Sequence, residues 1–472
     1  MSDFERHLTQ YIAEQRPRFE DTLGRMVRIP SVSMDPERAK DVRAMAEYAA
    51  RLLREHGAEA DVVETGGHPL VSGGWTTGAD HPTVTIYNHL DVQPAQEPEW
   101  RQDPFAFRKE DGIYHGRGTT DDKGPALTAL LAAKFAIDQG LPINIRFLWE
   151  CEEEIGSPNF AATLKQRDRI PRPDSVVISD TIWISNEQPA IAVGLRGLLA
   201  VRCSLQTGTK DAHSGVTGGA ARNPLAELLE VAAASVDAKS GRVKIPGFYA
   251  DALKPTAAEV QSFLRSGFRV DRFMKAYGFE SLRTKQAAEV MTRIWAQPTF
   301  EVHGLTGGYQ GPGVKTVVPW RGELKCSMRL VPNQTPEHVF ARFKRHVKKL
   351  NPSIRVEADG MLHPFKGVST GPYVEAIQTA IRVGFGKDPA FTREGGSIGA
   401  VVSMQKAWNV PILFLGLSLP EHGYHAPNEH FDWRQACGGM RAFATYFQQL
   451  ADSRRHGDRV DRVTRRPKGG GR

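Results

Sequence analysis

The sequence predicts an α/β protein: a domain on a mainly parallel sheet, interrupted by an inserted ferredoxin-like α+β module. Three observations carry this. Short apolar strands alternate with helical stretches over the first part of the chain, the pattern of a helix-covered parallel sheet. After Gly194-Leu195-Arg196-Gly197 the order becomes strand, helix, strand, strand, helix, strand, the succession of a ferredoxin-like unit. After Pro364 the first pattern returns. A length of 472 residues leaves room for two domains.

Residues 4–27 read as helix, re-starting at Pro17. Asp35-Pro36 supplies an N-cap and a first-turn proline. Val42, Met45, Ala49, Leu52 and Leu53 then recur at helical spacing up to Gly57. Residues 71–75 and 83–87 are strand-like, and the second runs directly into Asn88-His89-Leu90-Asp91. Gly116-Arg117-Gly118-Thr119-Thr120-Asp121-Asp122-Lys123-Gly124 opens an apolar helix from Pro125 to about Ile137. Residues 143–149 alternate as a strand and end in Glu150-Cys151-Glu152-Glu153-Glu154. Residues 175–179 form a short buried-type strand ending at Asp180.

The inserted module is expected as strand 198–205, helix 224–238, strands 299–302 and 323–330, helix 336–350 and strand 353–357. A long, partly helical insertion at 241–297 lies inside it. A helix at 372–383, a strand at 412–417 and a last helix to about Leu450 complete the chain. The expected division is 1–196 and 365–453 for the α/β domain, 197–364 for the inserted module and 454–472 for a basic tail.

Bulk properties narrow the function classes. The chain has no apolar run of about 18 residues, so no membrane span is expected. The charged N-terminus has no apolar signal core. Cys151, Cys203, Cys326 and Cys437 are scattered, with no Cys-x-x-Cys pair. A cytoplasmic protein with reduced cysteines is the expectation. Residues 454–472 carry +6 of the net charge of +7. That concentration reads as a disordered, solvated tail, and nucleic acid is not an expected partner.

The chemistry-bearing residues gather at strand ends. In open α/β sheets ligands sit outside the carboxyl ends of the strands. His89, Glu153, Glu154 and Asp180 occupy such positions, with Asp121 at a helix start and His425 in Pro420-Glu421-His422-Gly423-Tyr424-His425 after the 412–417 strand. Imidazole with carboxylate suits zinc, or another first-row ion such as manganese or cobalt. Asp91, two residues beyond His89 on an extended chain, points the same way and can hold the other ring nitrogen. Of Glu153 and Glu154, one can bind metal while its neighbour moves a proton. Taken singly each has a plain alternative: Asp121 and Asp122 as an acidic N-cap, His89 as a surface histidine, the glutamates as an exposed loop.

Together these stretches resemble the di-zinc metallopeptidases that include carnosine dipeptidases, glutamate carboxypeptidases, aminoacylases, and acetylornithine and succinyl-diaminopimelate deacylases. The resemblance spans about residues 20–450 and rests on five stretches in family order. These are Asn88-His89-Leu90-Asp91, Gly116 to Gly124, Glu153-Glu154-Ile155-Gly156-Ser157, Ser179-Asp180 and the His425 loop. It implies two divalent metal ions per subunit, bridged by Asp121. His89 and Asp180 would complete one ion, Glu154 and His425 the other. Glu153 would be the general base and Asp91 the orienter of His89. It also implies a cis bond between Asp121 and Asp122.

By the same resemblance the inserted module is a lid and dimerisation domain of a homodimer. His213, in Asp211-Ala212-His213-Ser214-Gly215, would reach the partner's site and polarise the scissile carbonyl. Arg329 would clamp a substrate carboxylate, a task suited to a planar bidentate donor. Thr316, Ser397 and Gly396 would touch substrate. The long insertion and Arg393-Glu394-Gly395-Gly396-Ser397 place the chain nearest the dipeptidase branch. After Ser397 it departs from part of that branch, with Ile398-Gly399-Ala400 in place of a proline-containing run. The expected activity is hydrolysis of dipeptides or short peptides. The alternatives are an N-acyl amino acid amidohydrolase and a non-catalytic metal-dependent association module.

Overall fold

The computed structural model describes residues 2–464, with side chains described through Ser453. Its centre is a six-stranded sheet in the order Glu59–Val63, Leu70–Trp75, Asn144–Glu150, Thr83–His89, Ser175–Ile178, Ile412–Phe414. The last four run parallel to one another. The first two are antiparallel additions at one edge. The sheet is therefore mixed rather than mainly parallel throughout. Only six residues join Glu59–Val63 to Leu70–Trp75, too few for the crossover a parallel pair needs.

Alternation along the strands fills a core on each face. Val84, Ile86, Ile145, Phe147 and Val177 pack into one cluster, and Tyr87, Leu148, Val176 and Ile178 into the other. The helix Gly124–Asp138 is buried nearly all round, as its almost unbroken apolar sequence requires. It lies between the first helix, Asp3–Val27, and the last, Trp433–Thr464. Asp3–Val27 continues through Pro17 without a re-start, because Leu8, Ile12, Phe19 and Leu23 are all buried along one side. No described helix is long and apolar enough to cross a membrane.

A second sheet has four antiparallel strands in the order Glu301–Gly307, Arg321–Leu330, Gly197–Gln206, Arg355–Leu362. The helices Pro224–Ser235 and Pro336–Leu350 cover one face. Leu324, Cys326 and Met328 point to that face, with Leu228, Val339 and Phe343 beneath them. Ser327 and Arg329 therefore point to the other. The element order matches the β-α-β-β-α-β expectation, and the 241–297 insertion holds three short helices, Ala257–Arg265, Val270–Ala276 and Ala287–Trp295.

The final helix runs to Thr464, eleven residues into the stretch expected to be disordered. Residues 454–464 contain no proline, so nothing in the backbone chemistry stops the helix there. The rest of the basic tail lies outside the described residues.

Candidate active site

Parallel strands bring their carboxyl ends to one edge of the central sheet. His89 is the last residue of Thr83–His89. Asn144–Glu150 leads into a single turn of 3-10 helix, Glu153–Ile155. Ser175–Ile178 leads to Asp180. Asp121 comes from the turn Thr119–Lys123 that starts the buried helix. His425 sits in the loop between Pro420–His422 and His430–Asp432, with a positive φ of 56°.

Asp121 stands at the centre. Its Oδ1 lies 2.9 Å from His89 Nε2 and its Oδ2 lies 3.0 Å from His425 Nε2. His425 Nε2 is 3.3 Å from Glu154 Oε2, and His89 Nε2 is 3.9 Å from Asp180 Oδ2. Ligand-type atoms of His89, Asp121 and Glu154 all fall within 4.8 Å of one another, as do those of His89, Glu153 and Asp180. The Asp121–Asp122 peptide bond is cis. Asp122 serves structure instead: its carboxylate accepts from Asn88 Nδ2 at 2.8 Å and from the His89 backbone at 3.4 Å.

The electrostatics are those of crowded carboxylates. Burial pushes the Glu153 carboxyl well up, and the neighbouring Asp180 adds to it. Burial also raises Asp180, to about 6, against the pull of His89. At Asp121 burial again acts upward, but hydrogen bonds from His425 and His89 outweigh it and hold the group low. Glu154 Oε1 is buried with no hydrogen-bond partner among the described residues. Imidazoles interleaved with carboxylates, one carboxylate oxygen still unmatched, fit a divalent first-row cation.

Glu153 and Glu154 differ in what holds them. Glu154 is gripped by Gln93 Nε2 at 2.6 Å and by His425. The Glu153 carboxylate has no hydrogen-bond partner among the described residues and stays free to exchange a proton. Asp91 plays a wider part than the sequence indicates. Its backbone carbonyl, not its carboxylate, makes the close 3.0 Å contact with His89 Nδ1, while Oδ1 stands 3.6 Å away. The carboxylate instead accepts from the backbone N–H of Glu153 at 3.2 Å and of Glu154 at 3.1 Å. The reason is the turn at Glu153, whose first N–H groups need acceptors.

Sequence reasoning passed over several residues here. Glu429 accepts from Arg117 Nη1 at 2.8 Å and from the backbone N–H of Gly118, Thr120 and Asp121 at 3.0, 2.9 and 3.1 Å. The Tyr424 hydroxyl donates to Asp180. Glu394 lies close enough to Asp180 and Arg329 to feel both charges. Glu429 and Tyr424 flank His425 in sequence, the one signal that would have marked them.

The substrate-side expectations divide in two. Arg329 Nη1 donates to Ser397 Oγ at 3.1 Å, Ser397 Oγ donates to the Arg196 carbonyl, and Gly396 adjoins them. His213 and Thr316 sit together elsewhere, where Ala212–His213 pairs with Val317–Val318 and Ser214 N donates to Thr316 O at 3.0 Å. His213 is exposed, and its Nδ1 accepts from Gly215 N at 2.9 Å. No hydrogen bond or ion pair joins either residue to the Asp121 nest among the described residues.

A ligand nest at the carboxyl edge of an α/β sheet, with one unengaged carboxylate beside it, is built for metal-assisted hydrolysis. Residues 85–449 match Peptidase family M20/M25/M40, and the chain belongs to that family of peptidases. It is 31% identical over 468 residues to Beta-Ala-His dipeptidase of Rattus norvegicus, covering 94% of this chain and 95% of that one. It is 30% identical over 466 residues to the Cys-Gly metallodipeptidase dug1 of Schizosaccharomyces pombe, covering 94% and 98%. The crystal structure of human carnosine dipeptidase 1 superimposes with a TM-score of 0.86 at 30% identity, covering 96% of this chain and 99% of that one. The protein is a metal-dependent peptidase.

Proposed function

We propose that the protein is a dinuclear metallodipeptidase that hydrolyses the amide bond of dipeptides or short peptides. The observation that carries it is Glu153, a buried carboxylate without a hydrogen-bond partner among the described residues, which stands with His89 and Asp180 in one of two groups of metal-ligand atoms that share His89. Asp121 would be shared between the ions, with His89 and Asp180 on one and Glu154 and His425 on the other. Zinc suits this set first, with manganese or cobalt as substitutes. When bound, the ions supply polarisation of the scissile carbonyl and an acidified water.

The chain's own groups do the rest. Glu153 takes the proton from the attacking water and returns it to the leaving amine. Asp91 orients His89 through its carbonyl and sets both glutamates through its carboxylate. Arg329, Ser397 and Gly396 receive the substrate carboxylate. Glu394, raised to about 7 by burial first, offers a counter-charge for a free α-amine, which supports a dipeptide over an N-acylated amino acid. His213 and Thr316 act on the partner subunit's substrate, and His213 stabilises the oxyanion there. In this reading residues 197–364 are the lid and dimerisation domain, and 1–196 with 365–453 the catalytic domain. The four free cysteines support a cytoplasmic setting.

The test is Glu153→Gln assayed on a panel of dipeptides and N-acyl amino acids with defined metals. The expected outcome is a loss of about 10²–10⁴-fold in kcat with metal content retained. Dipeptides should be cleaved well ahead of N-acyl amino acids. Wild-type turnover in the variant would remove Glu153 from its role, and preference for N-acyl substrates would reassign the substrate class.

A further inference from the structure

Arg329 also lines a cavity of about 910 Å³ that none of the candidate metal ligands lines. Its floor is the helix-free face of the second sheet, with Ser327 and Arg329, and its roof is the 241–297 insertion. The roof is pinned in place by Glu259, which pairs with Arg393 and Lys366. Six cations line the cavity: Arg196, Arg242, Lys254, Arg283, Arg293 and Arg329. Glu301 is the single carboxylate among its lining residues.

These cations come from separate segments and converge. A Cβ placed on Gly241, whose φ is +72°, would lie 3.3 Å from both Arg283 Nε and Arg293 Nη1. Arg293 is matched by Glu289 at 2.8 Å. Among the described residues Arg196 donates only to the backbone carbonyls of Gly395, Arg293 and Gln297, and Arg329 only to a hydroxyl. Arg242, Lys254 and Arg283 have no ion-pair partner among the described residues. Arg196 is pushed down to about 10 by burial first and then by the charge of Arg329. Arg196 and Arg329 are partly buried and feel each other's charge, and the exposed Arg242, Lys254 and Arg283 line the same cavity beside the apolar Phe273, Phe279 and Ile294, so an anion there would offset the gathered positive charge. Their planar forks match carboxylate and phosphate oxygens.

We propose that this cavity is an anion-binding chamber that takes a carboxylate-type anion alongside the substrate held at Arg329. The anion has two sources: the acidic side chain of a substrate's C-terminal residue, or a free small dianion. The first source rests on the proposed dipeptidase reading; the chamber itself does not.

The experiment uses the metal-loaded enzyme and its Arg242→Gln/Arg283→Gln double variant, which leaves the ligand nest and Arg329 intact. In the first arm glutarate is titrated calorimetrically at low ionic strength. The wild type should bind it and the double variant should bind roughly tenfold or more weakly. In the second arm kcat/KM is compared for alanyl-glutamate and alanyl-glutamine. A substrate-borne anion predicts a Glu-over-Gln ratio of about ten or more in the wild type, collapsing toward unity in the variant while alanyl-glutamine is unchanged. Glutarate binding with a ratio near unity identifies the free dianion as the source. Absent glutarate binding together with a ratio near unity, or binding that the double substitution leaves untouched, overturns the chamber. If neither dipeptide is cleaved, the dipeptidase reading fails and the glutarate arm alone decides the chamber.

Discussion

Glu429 shows how much of this site rests on a residue outside the candidate ligand set: it holds Asp121 by its backbone N–H and not by its carboxylate. It is fully buried, as is its partner Arg117, and it collects the N–H groups of the loop that presents Asp121. Because it lies four residues after His425, it ties the Asp121 loop to the His425 loop. Glu429→Gln keeps the shape but leaves the buried Arg117 without its counter-charge, a loss of about 3–5 kcal/mol for a broken buried pair. We expect a lower Tm and a metal affinity reduced by about tenfold or more, read by thermal unfolding across a metal titration. Unchanged Tm and unchanged metal affinity would show that the loops hold their positions without it.

The helix Ala39–Glu55 carries a different kind of dependence, on pH. His56, at its C-terminal end, is 3% exposed, with Nδ1 2.7 Å from the Leu52 carbonyl and Nε2 without a hydrogen-bond partner among the described residues. Burial pushes the imidazole below its usual value. The unfolded chain therefore takes up a proton at a higher pH than the folded one does. Stability from this group is complete above about pH 6.5 and is lost as pH falls toward the depressed folded value. His56→Gln should flatten that part of the profile, measured as urea unfolding free energies at pH 5 and pH 7.5 for both proteins. An equal slope in the two proteins would assign the acid sensitivity to other groups. Neighbouring elements show where reading in one dimension falls short. Pro17 reads as a helix break, yet buried side chains on both sides of it carry Asp3–Val27 through.

For the assembled enzyme the decisive question is whether one chain is sufficient. His213 and Thr316 sit together, and no hydrogen bond or ion pair joins them to the Asp121 nest of their own chain among the described residues. We expect His213→Ala to lose activity by about 10²–10³-fold. Mixing it with Glu153→Gln should restore activity in hybrid dimers, where one site then has both residues intact. Failure of any mixture to recover turnover would place His213 outside catalysis in trans. Chelation should abolish turnover and lower Tm in the wild type, with both restored by zinc, manganese or cobalt.

The order of residues along the chain was enough to expect these imidazoles and carboxylates to gather at one sheet edge, where the fold brings them together. Imidazole and carboxylate at successive strand ends have few uses, and the rule that sheets bind ligands at their carboxyl edge needs no coordinates. His89, Asp121, Glu153, Glu154, Asp180 and His425 were all legible for that reason, as was the β-α-β-β-α-β module from its change of period. Only the folded chain decided the rest. The antiparallel edge of the central sheet and the grip of Glu429 on the Asp121 loop join residues from 70 to more than 300 positions apart, and the cationic cavity at Arg329 gathers separate segments of the chain. Pairing and charge convergence at such separations depend on packing in three dimensions, and local sequence pattern carries no record of it.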